Sequence, residues 1–82
     1  MIFLMEYNRP LGRIVSLRTF DESERPQARD ARLELELDLN RKGIDHEIVL
    51  LESASEATLR KTHRRYFESL AEIGKALADY NQ

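Results

Sequence analysis

Residues 2–20 read IFLMEY-NRPLG-RIVSLRTF, and this stretch decides the fold. The segments 2–7 and 13–20 are rich in the β-branched and aromatic residues that favour strands. The segment between them, residues 8–12, contains the Asn, Pro and Gly typical of a tight turn. The sequence therefore predicts a β-hairpin formed by strands 2–7 and 13–20.

A helix is predicted over residues 24–42. The composition becomes polar after Phe20, Ser23 is a suitable N-cap, and Pro26 falls in the first turn, where its missing N–H costs nothing. Gly43 is well placed to end the helix, because glycine readily adopts the left-handed conformation of a C-terminal cap. The apolar stripe of this helix consists of Ala28, Ala31, Leu35 and Leu39.

The segment 33–39, LELELDL, alternates with period two, which by itself is a strand pattern. A strand here is the alternative, and it would change the element order to ββββα. The helix is favoured because no Val, Ile, Thr or aromatic residue lies between residues 24 and 42. In a helix, Leu33 and Leu37 lie away from the apolar stripe, which indicates an additional contact surface.

A third strand is predicted over residues 45–51 and a second helix over residues 55–80, with Ser53-Ala-Ser-Glu56 as its capping box. The prediction is a single small α+β domain of order ββαβα, with a three-stranded mixed sheet and two helices on one face. A right-handed crossover makes the second and third strands parallel. The first strand then pairs antiparallel to both of them or to the second alone.

Two features predict a homodimer. The first and third strands carry large apolar side chains on both faces, so helices on one face would leave the other in water. A helix from Glu56 to Tyr80 also spans roughly 37 Å, whereas a seven-residue strand spans about 23 Å. The helix should overhang the sheet while its apolar stripe continues. Self-association is therefore predicted through the exposed sheet surface, the last helix or both, and the helix residues concerned are Leu70, Ile73, Leu77 and Tyr80.

Composition restricts the class of protein. The 82 residues suit one domain, and 41% hydrophobic with 34% charged residues is typical of an ordered globular chain. The absence of cysteine excludes disulfides and thiolate metal sites and favours the cytoplasm. The apolar run 2–5 is too short for a signal peptide or a membrane span, so no membrane association is predicted.

The strongest ligand-binding signal is a basic run at the start of the last helix, which could hold phosphates of a nucleic acid or an acidic partner. Three observations weaken it. His63 and Tyr66 fall on the buried stripe, and Glu68 can pair with the arginines. The net charge of −2 also gives no general attraction to nucleic acid. The residues of this basic patch are Arg60, Lys61, Arg64 and Arg65.

No catalytic, metal or cofactor motif is recognised. His46 and His63 lie in different elements without ligand spacing, so His46 is interpreted as a surface residue and His63 as a core residue. No serine lies in a nucleophile-elbow context, and the three glycines form no phosphate-binding loop. The sequence thus predicts a small cytoplasmic, non-enzymatic, homodimeric interaction or structural module. A nucleic-acid-binding accessory domain is the alternative.

Overall fold

A computed structural model of the chain describes residues 1–67. Three strands form one sheet, and helices pack against it, so the chain is a small α+β domain. A short 3-10 turn, Glu22–Glu24, precedes the first helix. In chain order the elements are β1 (Ile2–Asn8), β2 (Arg13–Phe20), α1 (Arg25–Lys42), β3 (Glu47–Glu52), α2 (Glu56–Thr62) and α3 (Arg64–Phe67).

The sheet has the strand order β2-β1-β3, with β1 antiparallel to both neighbours. This confirms the predicted hairpin and the alternative in which the first strand pairs with both others. The predicted mixed sheet is wrong, because β2 and β3 run in the same direction but are separated by β1. The most apolar strand takes the centre, where both of its edges and both of its faces can be buried.

The hairpin is closed by a turn that requires glycine. Gly12 has a φ of 64°, in the left-handed region, and its N–H donates to the carbonyl of Arg9 at 3.2 Å. The Asn8 side chain accepts a hydrogen bond from the N–H of Leu11, also at 3.2 Å. The register of the pair shifts between Glu6 and Tyr7, which indicates a bulge in β2.

The helix α1 confirms the prediction for residues 24–42 and excludes the strand alternative for 33–39. Gly43 ends it with a φ of 67°, and the N–H of Ile44 reaches back to the carbonyl of Leu39. At the other end, Ser23 donates to the Asp21 carboxylate instead of capping the helix. Leu33 and Leu37 are exposed, as expected from their position away from the apolar stripe of the helix.

The predicted continuous helix over residues 55–80 is wrong at His63, which has φ −124° and ψ 46° and separates α2 from α3. The Thr62 hydroxyl donates to the carbonyls of Thr58 and Leu59 and lies 2.8 Å from His63 Nδ1. Such local side-chain bonds compete with the helical pattern. The predicted seam residues Leu70, Ile73, Leu77 and Tyr80 lie outside the described residues.

The N-cap of α2 also differs from the prediction. Ser55, and not Ser53, accepts a hydrogen bond from the N–H of Thr58, at 3.1 Å. Ser53 instead continues the sheet through its backbone, since its N–H donates to the carbonyl of Met1. The Ser53 hydroxyl is buried without a partner among the described residues.

The two faces of β1 are both buried. On one face, Ile2 and Leu4 pack with Phe20 of β2 and Ala28 of α1. We call this the α1 face. The opposite face of β1 carries Phe3, Met5 and Tyr7. Ile2, Phe3, Leu4 and Met5 are each at most 2% exposed.

The helices α1 and α3 contact opposite faces of the sheet, which corrects the prediction of two helices on one face. Tyr66 of α3 contacts Tyr7 edge to face, with ring centroids 5.0 Å apart. We call this second side the α3 face. Both Tyr66 and Leu59 of α2 are buried. The apolar side chains of β1 on the α3 face are therefore buried within a single copy, and the inference that a partner must cover them does not hold for this strand.

Candidate functional site

Polar and aromatic side chains converge on the α3 face at the hairpin end of the sheet. The antiparallel register places Tyr7 of β1 directly opposite Glu47 of β3. The turn that follows β1 brings Arg9 over the same corner, and the break at His63 precedes the turn of helix that brings Tyr66 there. The site is thus assembled from four separate parts of the chain.

Glu47 is the centre of this group. Its Oε2 accepts a hydrogen bond from Nε of Arg9 at 3.1 Å, and its Oε1 accepts one from the Tyr66 hydroxyl at 3.0 Å. The same hydroxyl accepts a hydrogen bond from Arg65 at 2.9 Å, and the Arg65 guanidinium lies 4.7 Å from the centre of the Tyr66 ring. A continuous chain of hydrogen bonds therefore joins Arg65, Tyr66, Glu47 and Arg9.

These contacts hold the charges of the site in place. The hydrogen bond from Arg9 is the main cause that lowers the pKa of Glu47 below its usual value, and the Tyr66 hydroxyl lowers that pKa further. The hydrogen bond to Tyr66 raises the pKa of Arg65. Glu47 is consequently ionised at neutral pH and is a weak base. The arrangement suits binding of charged groups better than proton transfer.

A cleft of about 260 Å³ opens at this corner. It is lined by Tyr7, Arg9, Glu47 and Arg65. The Arg9 side chain is 70% exposed, whereas that of Glu47 is only 16% exposed. The Glu47 carboxylate therefore lies at the base of the cleft, and the Arg9 guanidinium is accessible from solvent.

The structure separates the basic patch predicted from sequence. Arg60 is on α2, where it pairs with Glu56 at 3.0 Å and lies over the Phe67 ring. Lys61 is on the same helix and is exposed. Arg64 and Arg65 belong to α3, beyond the break, and Arg65 lines the cleft. Only Arg65 of the four is part of the candidate site.

The histidines have different surroundings from each other. His46 is half-buried, and its Nδ1 lies 2.5 Å from Oε2 of Glu6 on the α1 face, so its interpretation as a surface residue is wrong. His63 stacks on Tyr66 with ring centroids 6.4 Å apart. Within residues 1–67, no group of three or more His, Cys, Asp or Glu side chains is arranged to hold a metal ion.

Sequence reasoning missed Tyr7, Arg9 and Glu47 as members of one site. The available signals were Arg9 inside a tight turn and a glutamate at the start of a strand, both of which are common on solvated surfaces. The pairing of β1 with β3 is what brings them together, and the sequence left the strand order open.

Comparisons with protein-family models, with curated proteins and with solved structures give no match to this chain. None of the helices within the described residues is long and apolar enough to cross a membrane.

Proposed function

We propose that the protein is a small interaction module that forms a homodimer by pairing β3 with β3 of a second copy. The observation that carries this proposal is the outer edge of β3. β3 is an edge strand of the sheet, and its four central residues, Ile48, Val49, Leu50 and Leu51, are all only half-buried. An apolar edge strand is a ready template for strand addition.

The hydrogen-bond pattern identifies which residues face this edge. The Met1 nitrogen donates to the carbonyl of Ser53, and the Ser53 N–H donates to the carbonyl of Met1, so these two form a hydrogen-bonded pair. Hydrogen-bonded pairs alternate along antiparallel strands, which turns the backbone groups of Leu51, Val49 and Glu47 towards β1. The N–H and C=O groups that point to the open edge are those of Ile48, Leu50 and Glu52.

The opposite edge of the sheet differs in ways that discourage pairing. β2 carries the bulge opposite Glu6 and Tyr7, and the exposed Arg13 and Arg18 lie along it. Bulges and charged side chains are the common means of protecting edge strands. β3 has neither a bulge in its pairing with β1 nor a charge between its two terminal glutamates.

β3 is compatible with a second copy of itself. A twofold axis at Leu50 makes the strands antiparallel, places Leu50 opposite its own copy and Val49 opposite Leu51, and keeps the two faces of the sheet continuous. Both terminal glutamates already have partners within the chain, because Glu47 bonds to Arg9 and Glu52 to Arg25. Their negative charge is therefore partly compensated before two copies meet.

Replacing the Leu50 amide with an N-methyl amide in a chemically synthesised chain tests this pairing. The change removes one donor at the open edge and adds a methyl group there, while the side chain and the bonds to β1 remain. We expect wild type to sediment as a dimer at tens of micromolar and the N-methyl-Leu50 protein to sediment as a monomer with the same circular dichroism spectrum.

The matched control is N-methylation of Thr19. The even-numbered residues of β1 bond to β2, so the N–H of Thr19 points to the outer edge of β2. This variant should remain a dimer. A monomeric wild type would refute dimerisation. A dimer that survives N-methylation of Leu50 would refute the β3 contact and direct attention to the predicted seam of Leu70, Ile73, Leu77 and Tyr80.

A cytoplasmic location and the alternative of nucleic-acid binding through Arg60, Lys61, Arg64 and Arg65 remain predictions. The contacts of Arg60 with Glu56 and of Arg65 with Tyr66, together with the burial of Tyr66, favour a structural role for this region. Salt-dependent retention on immobilised DNA and RNA tests the alternative. Retention that is lost on charge reversal of Arg64 and Arg65 would support it.

A further inference from the structure

The cleft between the hairpin turn and α3 has the charge and the geometry of a small anion site. Among the residues that the structure describes, the lining contributes two positive charges, from Arg9 and Arg65, and one negative charge, from Glu47, which gives these residues a net charge of +1. Both oxygens of Glu47 already accept hydrogen bonds from Arg9 and Tyr66. The Glu47 carboxylate is therefore already hydrogen-bonded to donors within the chain.

Arg9 lines the cleft, and its hydrogen bond to Glu47 uses only its Nε–H. A guanidinium carries five N–H groups on a planar fork, and Arg9 presents its Nε side to Glu47. The fork edge formed by its two terminal nitrogens is therefore directed away from that bond. This second edge can bind a carboxylate or phosphate group with two parallel hydrogen bonds.

Both cations are held before any ligand arrives. Arg9 is fixed by Glu47, and Arg65 is fixed by the Tyr66 hydroxyl and by the face of the Tyr66 ring. Tyr66 itself is buried and bonded to Glu47, so both arginines are hydrogen-bonded to members of one connected pair. Side chains ordered in this way lose less conformational entropy on binding.

We propose that this cleft binds the oxyanion group, a phosphate or a carboxylate, of a small molecule. A cavity of about 260 Å³ lies just below the common range for small-molecule sites, about 300–1,000 Å³. The ligand is therefore a compact one, in which the anionic group contacts Arg9 and Arg65 and the remainder lies against the Tyr7 ring. The site does not depend on dimerisation, because the lining residues that the structure describes belong to one copy.

The test follows the side-chain Nε–H signals of arginine by NMR in the ¹⁵N-labelled 82-residue chain. Sodium phosphate and sodium acetate are titrated separately, with sodium chloride at matched ionic strength as the reference. We expect saturable shifts of the Arg9 and Arg65 signals with one or both oxyanions and none with chloride. The relative affinities for phosphate and acetate identify the type of anionic group.

Arg32 supplies the matched control. Like Arg9, it is exposed and donates from Nε to a glutamate, here Glu36 at 3.0 Å, but it lies on α1. We expect Arg9→Gln and Arg65→Gln each to weaken oxyanion binding about tenfold or more, and Arg32→Gln to leave it unchanged. Arg9→Lys, which keeps the charge and loses the fork, should bind more weakly than wild type.

Shifts that rise linearly without saturation, or that are equal at Arg9 and Arg32, would overturn the proposal. Unchanged affinity in both Arg9→Gln and Arg65→Gln would do the same. The backbone amide spectrum of each variant shows whether it is folded. Repeating the titration with the N-methyl-Leu50 protein separates this site from the dimer, since binding should persist whichever oligomeric state that protein has.

Discussion

Phe3→Ala is the substitution that most directly tests how the α3 face of the sheet is buried. Phe3 lies in the central strand, is 0% exposed, and belongs to the face opposite the α1 contacts. Removing a buried phenyl ring costs about 3–5 kcal/mol of unfolding free energy, because apolar contacts are lost and a cavity remains. An 82-residue domain has a total stability of about 4–12 kcal/mol. The variant should therefore lose a large part of its stability.

Leu4→Ala and Val15→Ala provide the scale for this measurement. Leu4 is 1% exposed on the α1 face, so its truncation should cost about 2–5 kcal/mol. Val15 is 51% exposed on the edge strand β2, and its truncation should cost less than about 1 kcal/mol. Phe3→Ala should resemble Leu4→Ala if both faces of β1 are packed by the same chain.

Urea unfolding followed by circular dichroism measures all three variants. At a slope of about 1–3 kcal/mol/M, Phe3→Ala should lower the midpoint by about 1 M or more. The measurement is made at two protein concentrations, because dissociation of a dimer would add a concentration-dependent term. A Phe3→Ala cost as small as that of Val15→Ala would refute the reasoning, since it would mean that the α3 face is not packed within the chain.

Two further predictions concern the cap of α2 and the acid stability of the cleft. Ser55→Ala should lower the free energy of unfolding in urea by about 1 kcal/mol, because the N–H of Thr58 loses its acceptor. Ser53→Ala should be neutral or stabilising, because the Ser53 hydroxyl is buried without a partner among residues 1–67. A larger loss for Ser53→Ala than for Ser55→Ala would identify Ser53 as the cap. Arg9 lowers the folded-state pKa of Glu47 below 4.5, so this carboxylate adds stability above its unfolded pKa and loses it as the pH falls through the folded pKa. Arg9→Gln should therefore be less stable than wild type at neutral pH, and the difference should shrink as the pH falls from the unfolded-state pKa of Glu47 through its lower folded-state pKa. A difference that stays constant until Glu47 is fully protonated would show that Arg9 acts through something other than this pair.

Much of the local structure could be predicted because it depends on nearby residues. Gly43 ends α1 and the NRPLG segment forms the hairpin turn through backbone preferences that operate over a few positions. The choice of helix over strand for residues 33–39 also followed from local composition. The break at His63 did not, because it accompanies the contact of Tyr66 with Tyr7, which lies far away in the sequence.

The sequence by itself determined the element types, the hairpin and the stripe of α1, since hydrophobic period and turn chemistry are properties of consecutive residues. It also showed that β1 is apolar on both faces, but it left open what covers the second one. Only the tertiary structure decided that β1 is central, that α1 and α3 lie on opposite faces, and that Arg9, Glu47 and Tyr66 meet. Those outcomes depend on contacts between residues far apart in the chain, and several strand orders satisfy the same local pattern.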